Sequence, residues 1–162
     1  MTRSRTIIPL AGVIAAMAIA ATPAAAQEHH IVVKPDQVQW GPAPPVLPAG
    51  AQIAVLEGDP SASGPAVLRL KFPANYAIPP HWHSMAERVT VISGMLNVAA
   101  GDVLDRTAGT ALGPGGYVSL PAKMHHYAWA KVPTVVQINL DGPFDIFCIN
   151  PSEGPTKTPS TR

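Results

Sequence analysis

The chain is poor in several things, and each scarcity closes off a class of protein. It holds a single cysteine, Cys148, so no internal disulfide can staple it in any compartment. Charge is sparse and balanced, with eleven basic against ten acidic residues and no run of either sign. Without a basic stripe nothing neutralises a phosphate backbone, so nucleic acid is not an expected partner. Long helical patterns are missing too. Nineteen prolines and thirteen glycines sit between short apolar runs, which argues for many strands joined by turns. There is no phosphate-cradling glycine loop, no nucleophile and base pair, no Cys-x-x-Cys and no internal repeat.

The one extended apolar run lies at the N-terminus. Arg3 and Arg5 precede an apolar stretch from Ile7 to Ala21, and Ala24-Ala25-Ala26 supplies a small-residue cleavage pattern before Gln27. The run is about 15 residues, short of the roughly 20 that span a bilayer. Residues 1–26 therefore read as a cleaved secretory signal, with the product periplasmic or extracellular and without a membrane span. Arg3-Ser4-Arg5 is not a twin-arginine pair, which points to the export route that chains cross unfolded. Removing 26 of 162 residues leaves 136, enough for one domain with one core. Two basic residues leave with the leader, so nine face ten acidic ones and the mature chain is nearly neutral.

Strand alternation is clearest in AVLRLKF, where Leu68, Leu70 and Phe72 should face a core while Arg69 and Lys71 face water. RVTVI (88–92) and MLNVA (95–99) flank Ser93-Gly94, which reads as a hairpin turn. YVSL (117–120), HYAWA (126–130), TVVQINL (134–140) and FDIFCIN (144–150) continue the series. Strands at intervals of roughly 8–12 residues predict an all-β sandwich or barrel, a single domain over 51–150. Residues 27–50, which include WGPAPPVLPAG, should be extended, lying across the barrel or pairing with a neighbouring subunit. Residues 151–162 have little to bury and read as a flexible tail. Cys148, in an apolar stretch, reads as a buried small hydrophobe rather than a nucleophile.

Chemistry concentrates in PPHWHSMAERVTVISG (79–94). Histidines at i and i+2 of a strand point both imidazoles to one face. His81 and His83 satisfy that spacing, and Glu87, after Ser84-Met85-Ala86, can return a carboxylate to the same point. A divalent transition metal needs several such donors converging at about 2 Å. A further donor should come from a distant strand, and GGYVSLPAKMHHYAW (115–129) offers His125 and His126.

His81, His83, Glu87 and Gly94 match the first motif of the cupin family at every spacing, and Gly115, Pro121 and His126 match the second. Lys123 stands where the second motif has its later glycine, and no asparagine near Trp129 matches the family's usual late one. The chain thus resembles a cupin from Gln52 to Asn150, and within the family it is most similar to short single-domain members with a WGPAP segment and a late GPF. The resemblance implies a double-stranded β-helix, the jelly-roll barrel. It places metal ligands on His81, His83, Glu87 and His126, with His125 in reserve if the turn shifts by one residue. It further implies one divalent transition metal (Zn, Mn, Fe, Ni or Cu), acquired after export, and a homodimer formed through the N-terminal segment.

Three neutral imidazoles, one carboxylate and a dication carry a local charge of about +1. A metal that prefers six ligands keeps two adjacent positions open, which suits small oxygenated chelators such as enediolates, 2-oxo acids or 1,2-diols. The metal would act as Lewis acid and template, or as the site of oxygen activation if it is iron. The expected function is an exported cupin enzyme, with a dioxygenase-type oxidoreductase favoured over an isomerase. The alternative is a non-catalytic metal- or ligand-binding sensor, because the fold does not decide between them. By strand alternation Trp82, Tyr127 and Trp129 point away from the ligands. Met85 and Met95 are pocket candidates, of which Met95 could line the barrel, and Arg88, next to Glu87, reads as a solvated strand arginine or as a guide for an anionic substrate. His29, third after cleavage, could with the terminal amine hold Cu(II) or Ni(II) in a square plane.

Overall fold

Short β-branched and apolar runs broken by Pro and Gly cannot sustain a helix. Apart from a 3₁₀ turn at Pro35–Gln37, every element in this computed structural model, which describes residues 30–150 and 152, is a strand. The leader at 1–26, His29 and, Ser152 aside, the tail at 151–162 lie outside the described residues. The strands are β1 (Gly41–Pro42), β2 (Gln52–Glu57), β3 (Gly64–Phe72), β4 (Tyr76–Trp82), β5 (Glu87–Ser93) and β6 (Leu96–Ala100), followed by β7 (Thr110–Leu112), β8 (Tyr117–Leu120), β9 (His126–Ala130), β10 (Thr134–Gly142) and β11 (Phe147–Cys148).

They form two antiparallel sheets, ordered β1-β2-β3-β10-β5-β8 and β11-β4-β9-β6-β7. From β3 onward the chain changes sheet at nearly every turn, which is the jelly-roll path. This corrects one expectation. Ser93-Gly94 does not close a hairpin, because β5 pairs with β10 and β8 while β6 pairs with β9 and β7. The turn is instead a corner between sheets. Gly94 has φ +79°, and a Cβ there would lie 2.3 Å from the Pro133 carbonyl oxygen, so only glycine fits. Thr134, fully buried, secures the corner by accepting the Met95 N–H at 3.1 Å.

The inner faces carry the apolar side chains that the alternation predicts. Leu68, Leu70 and Phe72 are buried, together with Val89, Val91, Val136 and Ile138 of the same sheet and Leu96 and Ala128 of the other. Each large aliphatic side chain so buried contributes about 1.5–3 kcal/mol. Segment 41–50 lies against the barrel of its own chain: β1 pairs with β2, and Leu47 joins the core. Met95 does not line the barrel; it sits 46% exposed at the corner. Cys148 is half-buried on edge strand β11 rather than inside the core. Only Phe147–Cys148 of FDIFCIN pairs as strand, because Phe144 and Ile146 turn inward. Among the described residues no helix is long and apolar enough to cross a membrane.

Candidate metal centre

A β-bulge aims the first histidines. Strand β4 pairs with β9 at Ile78↔Ala128 and again at His81↔His126, so three steps along β4 match two along β9. The extra residue falls at Pro79-Pro80, where a strand tolerates a missing donor. It reverses the in–out phase. Ile78 faces the interior before the bulge and His81 and His83 face it afterwards, while Trp82 turns outward to stack on Phe147 at 4.2 Å. Without the bulge, Trp82 would occupy the inner face.

His126 opens β9 beside His81, and Glu87 opens β5 in the opposite sheet, so the four side chains meet at one mouth of the barrel. All four are at most 7% exposed. The ligating nitrogens of His81, His83 and His126 lie within 4.8 Å of one another. Glu87 Oε2 is 3.5 Å from His83 Nε2 and 3.6 Å from His126 Nε2. The turn before His126 forms despite the missing glycine. Lys123 takes the left-handed conformation itself, with φ +64°, and its N–H donates to the His83 carbonyl at 2.8 Å.

The tautomers follow from the partners. His81 Nδ1 faces the Pro79 carbonyl at 2.7 Å, His83 Nδ1 the Asp145 carbonyl at 2.5 Å, and His126 Nδ1 the Met124 carbonyl at 2.9 Å. A carbonyl only accepts, so each Nδ1 carries the proton and donates. In its neutral form, each ring with this tautomer presents its Nε2 lone pair to the shared centre. Among the described residues, buried His83 Nε2 has no hydrogen-bond partner. A buried, unpartnered acceptor among convergent lone pairs beside a carboxylate is what a cation satisfies, so the donor set fits a divalent metal.

The charges are strongly coupled. Burial, aided by the neighbouring His126, lowers the His81 pKa to about 4. Burial pushes His83 the same way, but the Glu87 carboxylate, with Asp145 behind, outweighs it and the pKa is raised. Burial alone would raise Glu87; the His126 and His83 rings hold it down to about 2, so it is ionised.

Behind the cluster the barrel encloses a cavity of about 410 Å³, walled by both sheets and by Pro44, Val46 and Leu47. The segment between β10 and β11 crosses its mouth. Phe144 stacks on His83 at 4.5 Å, and the Asp145 carboxylate accepts from the Ser84 N–H at 2.8 Å and from its hydroxyl at 2.5 Å. Sequence reasoning missed Phe144 and Asp145. They lie some 61 residues from the histidine pair, and the only available signal was the late GPF.

The remaining candidates lie elsewhere. His125 is not in the cluster; its Nδ1 is 2.6 Å from Asp102 Oδ1 at the surface. Tyr127 and Trp129 stack on each other at 5.9 Å on the other face of β9, with the Tyr127 hydroxyl donating to the Asp105 carbonyl. Arg88 points to solvent near Asp141, and Met85 is exposed.

A two-sheet jelly roll with a histidine cluster at the mouth of its cavity defines a cupin. The chain belongs to the ChrR cupin-like domain family, whose pattern matches residues 28–145. No curated protein sequence matches it. A Methylibium petroleiphilum PM1 protein described as a candidate acetylacetone dioxygenase superposes with TM-score 0.62 at 21% identity, over 80% of this chain and 88% of its own. The polyketide cyclase RemF from Streptomyces resistomycificus gives 0.61 at 15%, covering 78% and 90%. An acetylacetone dioxygenase from Acinetobacter johnsonii gives 0.58 at 15%, covering 77% and 81%. At these identities the likeness establishes the shared fold.

Proposed function

We propose that the protein is an exported, metal-dependent cupin enzyme in which His81, His83, Glu87 and His126 hold one divalent transition metal and a small chelating molecule undergoes a dioxygenase-type oxidation. The observation that carries this reading is the set of three imidazoles with Nδ1 tied to backbone carbonyls and Nε2 turned toward one another beside Glu87. Bound there, the metal would supply Lewis acidity and a template for a two-oxygen chelate, and oxygen reactivity if it is iron. Side chains and backbone of the protein do the rest. Glu87 offsets one positive charge, the carbonyls of Pro79, Met124 and Asp145 fix the rings, and Phe144 keeps water off His83. Two structural neighbours carry the name of acetylacetone dioxygenase and a third that of a cyclase, so the fold supports more than one reaction.

Export rests on the leader pattern from Arg3 to Ala26. A homodimer is supported by Ile31, Val32 and Val33, exposed apolar residues that precede β1. The decisive experiment is elemental analysis of protein from its native compartment, followed by oxygen uptake with 1,3-dicarbonyls, 2-oxo acids and 1,2-diols. Stoichiometric iron or manganese with substrate-dependent oxygen consumption is expected. Conversion without oxygen uptake would make it an isomerase, and tight zinc without turnover a binding protein; either result overturns the oxidation.

A further inference from the structure

The cavity wall is nearly free of polar side chains, and that restricts what can occupy it. Beyond the four cluster residues, the polar side chains on it among the described residues are Ser61 and Asp145. Among the described residues no lysine or arginine lines it. The charged side chains on the wall, Glu87 and Asp145, are both acidic, and its remaining described side chains are aliphatic or aromatic, such as Ile53, Leu70, Phe72, Val98 and Ile138.

A metal on three neutral imidazoles and one carboxylate keeps a charge of about +1, enough to offset one negative charge on a ligand. A second anionic group would lie in an apolar barrel without a counter-ion, and hydroxyls would lie there without partners; both are strongly disfavoured. Resting on the metal reading above, we infer that the ligand is a monoanionic two-oxygen chelator with an uncharged apolar body, its oxygens at the histidines and its body inside the barrel. Sugar acids, phosphate esters and 2-oxo dicarboxylates are the wrong class. A cavity of about 410 Å³ has room for a body on the order of ten non-hydrogen atoms, taking about 30 Å³ for each.

The test is a chelator series on Zn(II)-loaded protein: straight-chain alkyl hydroxamates of increasing length against oxalate and 2-oxoglutarate, read by isothermal titration calorimetry. Affinity should rise about fourfold per methylene until the barrel is filled and then level off. The two dianions should bind more weakly than acetohydroxamate, and the gain with length should vanish when Zn(II) is removed. Ala128→Leu, which narrows the inner face, should bring the plateau at a shorter chain; if it does not fold, the wild-type series still decides. Affinity independent of chain length, a preference for the dianions, or the same gain in metal-free protein overturns the inference and leaves the metal site standing. A chain that takes up no Zn(II) overturns the metal reading, and this inference falls with it.

Discussion

Acid should weaken the metal-free protein in a pH window set by His81. This ring is buried as the neutral form, with its pKa lowered from 6.5 to about 4. The unfolded chain therefore takes up a proton near the ordinary histidine value while the folded chain does not. Stability from His81 is full above the unfolded value and is lost as the pH falls toward the folded one. Between about pH 7.5 and about pH 5 the loss from this ring comes to about 2 kcal/mol. Glu87 acts lower down, its contribution being present above 4.5 and lost as the pH falls through about 2. His83, raised by Glu87, has the opposite sign: its contribution is full below its unfolded value and is lost as the pH rises through the raised one. Comparison with His81→Asn, which keeps an N–H for the Pro79 carbonyl, isolates the His81 part. Urea unfolding of both proteins across the window is the assay, and about 2 kcal/mol is a midpoint shift on the order of 1 M. If wild type and His81→Asn lose stability in parallel from pH 7.5 to about pH 5, the reasoning about the buried neutral ring is wrong.

Three further outcomes follow from the geometry. Asp145→Ala frees the backbone that holds His83 Nδ1 from its tie to Ser84, and should weaken metal affinity about 10–100-fold in competition with a chromophoric chelator. Lys123→Gly relieves a left-handed residue worth about 1–2 kcal/mol at some cost in unfolded-chain entropy, for a net gain of about 0.5–1 kcal/mol in denaturant unfolding. Thr134→Val leaves the part-buried Met95 N–H without its acceptor and should cost about 1–3 kcal/mol, read by thermal or urea unfolding.

The histidine spacing was readable in the sequence because strand alternation is local: Leu68, Leu70 and Phe72 point inward as their period requires. The meeting of His81 with His126 was readable only through the two-motif resemblance, since no local rule joins residues so far apart in the chain. The device that turns His81 and His83 inward is the bulge at Pro79-Pro80. The prolines were visible, but the register shift belongs to the pairing with β9. Ser93-Gly94 misled for a related reason. A turn signal marks where the chain bends and not which sheet it enters, so a corner between sheets looks like a hairpin. Met95, expected to line the barrel, instead lies exposed at the corner. Phe144 and Asp145 act through tertiary contact with His83 and Ser84, which no periodicity encodes.

The most direct test loads metal-free protein with Zn(II) or Fe(II) under anaerobic conditions, removes the excess and counts bound metal in wild type and in folded His126→Ala. The account predicts one tightly held ion per wild-type chain and a large loss in the variant. Wild type that emerges without metal, or a variant that retains as much as wild type, would contradict it.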